Sequence, residues 1–551
     1  MPTGRWRGGL VAGVAVLAVL AQLPTLDRSA VPVDEGQLVS IADRILRGEV
    51  LYRDVYTGIF PGIYYATALL LDVFGRDVLV TRWAQALVNA ATIACLGLLG
   101  LRVMRPAWAA LAPVLYLALV IVGFPGLTMF NYSPLALVFA LFALLFLLRY
   151  LESARLVDGI AVGLLLGVCG IVKQNFGGLG VLAVGLGLVW GRRGGPLASR
   201  SLAAAFLPIL ASGAALGFGV LAAFAAAGAL PDLFHATVLA MGETQMGAYS
   251  DPFPPIFGPH PDHDPRFVFV YTPAALFNYL VRGETIFGAS VSPLLRGASI
   301  RLAYGGTLVT LLAGAVMLWR DRAGESSGRR CATRAVVVFA LLFFLGIFPS
   351  AIWSHLVFIL APVLLVLGLV GDRVSSWIEA HSRAAAWGWK GLFAALALAA
   401  LALGWRISVD LRRWYPEPLG LARATLRVSP DQRALLRGAT RFLERCARPG
   451  EPVFVAPDMP LVYFLANRHN PTRFDLVIPG DVSGPSIVER LAQTGTRCVV
   501  YNPKMYLQFA PFDELFPEVA RHLETSYRRA AVIRGQDSEW YGLVRERKPG
   551  P

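Results

Sequence analysis

Two adjacent carboxylates, Asp34 and Glu35, open the stretch VDEGQLVSIADRILRGEVLYRD at residues 33–54, a few residues beyond an apolar run. An ionised carboxylate in reach of a hydroxyl can act as a general base. Helix capping competes for Asp34, because AspGluGlyGln has N-cap spacing with Gln37 at N3, worth about 1 kcal/mol. Capping gives no reason for Glu35 beside it, and the two roles can coexist. Lys173 lies between two short apolar runs. A charge there costs several kcal/mol unless it is paired. A phosphate would pair it; a loop carboxylate, or snorkelling of the side chain to an interface, would account for it equally. Arg82, at the start of another apolar run, is a second candidate for an anion, with Asp77 as its alternative partner. Tyr52, Arg53 and Asp54 belong to the same segment as the acidic pair, Gln174 and Asn175 follow Lys173, and His355 stands at the mouth of a later run, placed to contact a ligand or to cap a helix. The run GPHPDHDP at 258–265 brings His260, Asp262 and His263 close together. These are metal-ligating residue types, although in a proline-rich loop they are as readily solvated.

The elements that must position these groups are membrane helices. Of 551 residues 56% are hydrophobic and only 16% charged, and the mean hydropathy is +0.57, which excludes an ordinary soluble domain. A bilayer core of about 30 Å takes roughly 20 apolar residues per helix. Candidate spans fall near 8–25, 80–101, 107–123, 133–148, 157–172, 176–190, 202–229, 302–319, 335–350, 352–370 and 391–407, about eleven helices. The first run follows Arg5 and Arg7 and could be a signal peptide, but no small-x-small cleavage site follows, so an uncleaved helix is expected. Arginine and lysine then fall on alternate loops: Arg102 and Arg105, Arg149 and Arg155, Arg192 to Arg200, Arg320 to Arg334, and Arg373 to Lys390. The short loops at 123–132 and 348–353 carry none. By the positive-inside rule the N-terminus is cytoplasmic in an inner, cytoplasmic membrane. Residues 26–79, 230–301 and everything after about 408 then lie outside, with Asp34 and Glu35 among them. The formal charge of +14 is explained by this arrangement and not by nucleic acid.

In the first outer loop Leu38, Ile41, Ala42, Ile45 and Leu46 share one helical face and Asp43, Arg44 and Arg47 the other, which describes a short amphipathic helix at the interface. A second such helix runs from Pro61 to Phe74. The tail changes character. Residues 451–456, 496–501 and 529–533 read as buried strands and 432–446, 485–493 and 513–525 as helices, a small α/β domain with a largely parallel sheet and no glycine-rich phosphate loop. The expected domains are a membrane domain, 1–407, and an extracytoplasmic α/β domain, 408–551. The five cysteines make no zinc or redox spacing; a disulfide between Cys446 and Cys498 is one possibility.

The order of features resembles a known class. A first membrane helix, VDEG, RILRGEVLYRD, an aromatic-Pro-Gly turn, FGRD at 74–77 and ThrArgTrp entering the second span, with KQNFG at 173–177, is similar to the opening of GT-C integral-membrane glycosyltransferases, which include protein O-mannosyltransferases and lipid A aminoarabinose transferases. The resemblance is strongest over residues 10–180. It implies a GT-C-like bundle in which a hexosyl or pentosyl group passes from a polyprenyl-phosphate carrier to an extracytoplasmic glycan, lipid or protein. It implies that Asp34 is the general base, that Glu35 orients the acceptor or binds a metal, and that a divalent ion is present in some members. The chain departs from better-studied members after Asp54, where ThrGlyIlePheProGly replaces a Lys-Pro-Pro or His-Pro-Pro turn. Two other functions compete: a transporter or flippase of lipid-linked saccharides, which usually shows internal repeats, and a non-catalytic envelope scaffold.

Overall fold

A computed structural model describes residues 4–191, 196–240, 250–259, 261, 263–286, 288–292, 294–319, 327–479, 482–505 and 510–546. Among them eight helices are long and apolar enough to cross a membrane: Val78–Val103, Tyr132–Ser153, Gln174–Gly191, Leu202–Ala226, Leu294–Trp319, Gly328–Ile347, Trp353–Glu379 and Arg383–Trp414. The other three expected spans coincide with the shorter apolar helices Gly13–Leu26, Pro106–Val122 and Leu156–Val172. By contacts the chain forms two compact units that interleave in sequence.

The first unit comprises Met1–Thr25, Ala84–Ala222 and Ser250–Val409 and holds most of the apolar helices. Its interior is not uniformly apolar. Asn89 donates to Gln22 Oε1 and to the Leu127 carbonyl, both at 2.8 Å, and accepts from Gln85 at 3.0 Å. Gln85 in turn accepts the Asn131 N–H at 3.3 Å. Buried amides in such a place are costly unless they satisfy one another, and here they join three segments of the unit. At a polar end Arg105 grips Asp372 at 2.5 Å and Glu379 at 2.7 Å.

The second unit comprises Leu26–Trp83, Ala223–Tyr249 and Asp410–Pro551. The segment that follows the first helix therefore groups with the tail. Contacts, not sequence order, make this division, because the apolar face of the Asp34–Leu46 helix is covered by protein. Val39 and Ala42 share a core with Ala68, Leu71, Leu436, Val455 and Leu461. The close approach leaves no room for a side chain at Gly36, where a Cβ would lie 2.5 Å from the Leu461 amide. The Gly62–Phe74 helix keeps an apolar face in the open, with Leu69, Val73 and Phe74 each more than 60% exposed, as an interfacial helix does.

The tail's sheet runs Val453–Ala456, Cys498–Tyr501, Glu539–Arg545, Tyr527–Arg534 across its width. Only its first pair is parallel; the other two are antiparallel. The largely parallel sheet expected from alternating strands and helices is thus corrected by a strand, Glu539–Arg545, that a short turn folds back on its predecessor. Cys446 and Cys498 are joined as a disulfide, tying the end of the Pro430–Cys446 helix to the sheet.

One buried ion pair fixes the start of the segment that follows the first helix. Arg82 Nε and Nη2 each lie 2.7 Å from an oxygen of Glu35, with 1% and 0% of the two side chains exposed. The remaining Arg82 N–H groups reach the carbonyls of Leu26 (3.2 Å), Arg28 (2.7 Å) and Ser29 (2.8 Å). All five donors of the guanidinium are therefore spent. Breaking such a pair strands a charge, so Glu35→Gln should destabilise the protein by about 3–5 kcal/mol in chemical unfolding followed by tryptophan fluorescence; an unchanged midpoint would contradict this account. Separately, alkylation of the denatured protein should count three thiols, those of Cys95, Cys169 and Cys331, and all five only after reduction. A Cys446→Ser/Cys498→Ser variant should lose about 2–4 kcal/mol of stability.

Candidate functional site

The candidate groups fall in both units. In the second, Asp34 is the first residue of its helix, with Val33 as N-cap. The capping reading is corrected here: no side chain caps this helix, and Gln37 N–H bonds to the Val33 carbonyl. Asp34 is exposed and makes no hydrogen bond or ion pair among the described residues. Surrounding protein limits its hydration even so. That desolvation, and then the charge of Glu35, hold its carboxyl above the ordinary range. The two neighbours have thus separated in role. Glu35 is buried and neutralised by Arg82, which corrects the expectation that it touches acceptor or metal.

The same geometry removes Arg82 as a phosphate ligand, since no N–H remains to offer. Its alternative partner is also corrected, because Asp77 accepts instead from the Leu79 amide at 2.8 Å and the Thr425 amide at 3.1 Å. Tyr52 is fully buried; its hydroxyl donates to the Ile59 carbonyl at 2.8 Å and its φ is +71°. It is a turn residue and not a ligand-facing one. Arg53 and Asp54 bind each other through both carboxylate oxygens, at 3.0 and 2.8 Å. The Arg53 hydrogen bonds hold the Asp54 carboxyl below its ordinary range. Beneath them Arg44 holds the loop to the tail: it bonds Asp475 at 2.6 Å, Glu49 at 2.8 Å and the Asp54 carbonyl at 3.0 Å.

In the first unit Lys173 occupies the single non-helical position between Leu156–Val172 and Gln174–Gly191. The two helices can turn so sharply because Gly177 crosses Gly170, where a Cβ would come within 2.4 Å of the Gly170 Cα. Lys173 is 8% exposed. Its Nζ donates to Ser133 Oγ at 2.7 Å and lies over the rings of Phe176 (4.2 Å) and Tyr132 (5.1 Å). Among the described residues no carboxylate pairs it within 4.0 Å. Aromatic faces and a hydroxyl can hold an ammonium in place without neutralising it. Ser133, Tyr132 and Asn131, whose side chain caps the Tyr132–Ser153 helix, were missed in the sequence. Their signal was a cluster of polar groups, AsnTyrSer, opening an otherwise apolar span.

Gln174 is half-buried and Asn175 exposed beside Lys173. His355 Nδ1 lies 2.6 Å from the Ser350 carbonyl, and its ring is within electrostatic range of Lys173. His260 and Asp262 lie outside the described residues. His263 is exposed, and no group of three or more metal-ligating side chains occurs among the described residues.

Known proteins bear on this architecture. Residues 60–217 match the family model described as dolichyl-phosphate-mannose-protein mannosyltransferase. No curated protein sequence matches the chain. Among solved structures, ArnT from Cupriavidus metallidurans bound to undecaprenyl phosphate superimposes with a TM-score of 0.56 at 14% identity, over 98% of each chain. The apo state of the same protein gives 0.53 at 16% identity, over 97% of this chain and 98% of ArnT. A similarity that runs the length of both chains at so low an identity is one of fold: this multi-pass membrane protein has the GT-C fold of integral-membrane glycosyltransferases.

Proposed function

We propose that the chain transfers a sugar from a polyprenyl-phosphate carrier to an acceptor hydroxyl outside the cytoplasmic membrane, with Asp34 as general base. The observation that carries this reading is the division of labour within the acidic pair. Glu35 is locked to Arg82, which holds the backbone, while Asp34 beside it keeps an accessible carboxylate without a partner among the described residues. ArnT, which shares the fold, binds undecaprenyl phosphate. The disulfide in the tail suits an oxidising compartment and so supports placing the loop and the tail outside.

The chemistry follows from the groups. The acceptor oxygen forms a bond to the anomeric carbon as the bond from that carbon to the phosphate oxygen breaks. The transition state is oxocarbenium-like, the acceptor proton passes to the Asp34 carboxylate, and the electron pair leaves with the lipid phosphate. A cation must meet the charge growing on that phosphate. Lys173, held by Ser133 and two rings with no carboxylate pairing it among the described residues, is assigned that role.

Purified protein in lipid nanodiscs, supplied with a panel of polyprenyl-phosphate sugars and envelope acceptors, tests the proposal. Asp34→Asn should lower transfer by about 10²–10⁴-fold, the usual contribution of a positioned base, with an unfolding midpoint equal to the parent's. Retained transfer by that variant would sink Asp34 as base. A protein that moves lipid-linked sugars across vesicles without consuming them would be a flippase, and one that does neither would be a scaffold. Because the base works ionised and its pKa stands above the ordinary carboxylate range, activity should fall as pH drops through that raised value, at a higher pH than a free aspartate would give. Lys173→Met should raise the KM for the lipid-phosphate donor more than tenfold without a matching rise for the acceptor; equal effects on both would assign Lys173 to packing.

A further inference from the structure

In the second unit the strand Tyr527–Arg534 lies at one edge of the tail's sheet, with Glu539–Arg545 as its neighbour. The register shows which of its backbone groups are already used. Arg545 N–H bonds to the Arg497 carbonyl, so Tyr541, Leu543 and Arg545 turn their peptide groups toward Cys498–Tyr501, and the residues between them turn theirs toward the edge strand. The partners of Tyr541, Leu543 and Arg545 on that strand are Val532, Arg529 and Tyr527, and the next in the series is Arg534, opposite Glu539. Their N–H and C=O groups therefore point away from the sheet. Among the described residues no strand takes them up.

The same residues carry their side chains on one face, because the register shift between Arg529 and Ala531 brings Arg529 and Val532 to the same side. Arg529, Val532 and Arg534 are all exposed. Arg529 lies over the Tyr541 ring at 3.8 Å, which fixes its direction without neutralising it. Arg534 is 3.1 Å from Glu539, with 74% and 49% of the two side chains exposed, a pairing too solvated to exclude a second carboxylate. The other face is closed: Ile533 and Trp540 are in the core, and the helix Pro430–Cys446 packs so tightly there that a Cβ on Gly438 would lie 2.4 Å from Ile533. The edge thus presents a row of peptide groups with cation, apolar residue and cation along it.

Such a row is matched by another extended backbone. A second copy of the strand, laid antiparallel, would set arginine against arginine, and like charges directly opposite are destabilising. An acidic polysaccharide would meet the arginines and leave the peptide groups to water. We propose that this edge binds an extended acidic peptide segment of a partner protein by strand addition, with carboxylates opposite Arg529 and Arg534 and an apolar residue opposite Val532. The added strand keeps the register that Glu539–Arg545 has on the inner side, so its recognition residues fall at alternate positions. This site is independent of the transfer chemistry.

Fluorescence anisotropy of the full chain in detergent tests it, with a labelled peptide of threonine and valine in which glutamates flank a central valine at alternate positions. Binding should be saturable, and exchanging both glutamates for lysine should weaken it by about tenfold or more. Methylating the peptide nitrogens that face the edge, which leaves the charge unchanged, should abolish binding, whereas methylating the alternate set should not. Arg529→Glu/Arg534→Glu should reverse the preference in favour of the lysine peptide. Absence of binding, equal binding of the glutamate and lysine peptides, full binding by the edge-methylated peptide, displacement by alginate as readily as by unlabelled peptide, or a folded charge-reversed variant that keeps the original preference would each overturn it. If that variant does not fold, the peptide and alginate comparisons on the unaltered protein decide the matter alone.

Discussion

Arg82 and Glu35 meet in the protein interior with every guanidinium N–H assigned, two to a carboxylate and the other three to the carbonyls of Leu26, Arg28 and Ser29. Burying two charges is expensive, and the cost is met only when geometry and hydrogen bonds are complete. Complete they are, and the result is a constraint: the chain leaving the first helix, the first turn of the Asp34–Leu46 helix and the start of the next span cannot move independently. Asp34 inherits its position from that constraint. The base proposed at this position would need a fixed backbone more than partners of its own, because each partner would lower its readiness to accept a proton.

A second layer of support comes from the tail. Asp43 is shared by Arg47, Arg76 and Arg423 at 2.5, 2.9 and 3.2 Å, and Asp475 by Arg44, Ser40 and Asn470 at 2.6, 2.7 and 2.9 Å. These networks join loop and tail into one compact unit with a common apolar core. The tail therefore positions the loop, whatever else it does. In the other unit a comparable series of contacts runs from Gln22 through Asn89, Gln85 and Asn131 to Ser133 and Lys173. Polar side chains are scarce in such helices, and these are arranged so that each restrains the next.

The chain by itself determined the helices, because about 20 consecutive apolar residues have few other stable states in a bilayer; every expected span is a helix in the structure. It also determined the amphipathic segments, three strands and three helical stretches of the tail, though not its Leu461–Ala466 helix or its Glu539–Arg545 strand, and the existence of an acidic pair with a lysine between apolar runs. Partnership was decided only in three dimensions. From residue types alone Arg82 serves a phosphate as well as a carboxylate, and Asp34 and Glu35 are interchangeable. Which carboxylate is buried depends on the direction of each side chain from a helix whose apolar face is covered by residues some 400 positions away, such as Leu461. The antiparallel pairing of the last strand with Cys498–Tyr501, the union of loop and tail and the Lys173–Ser133 contact are of the same kind. Each is a long-range contact, and spacing along a sequence carries no record of a contact whose two halves are set by packing.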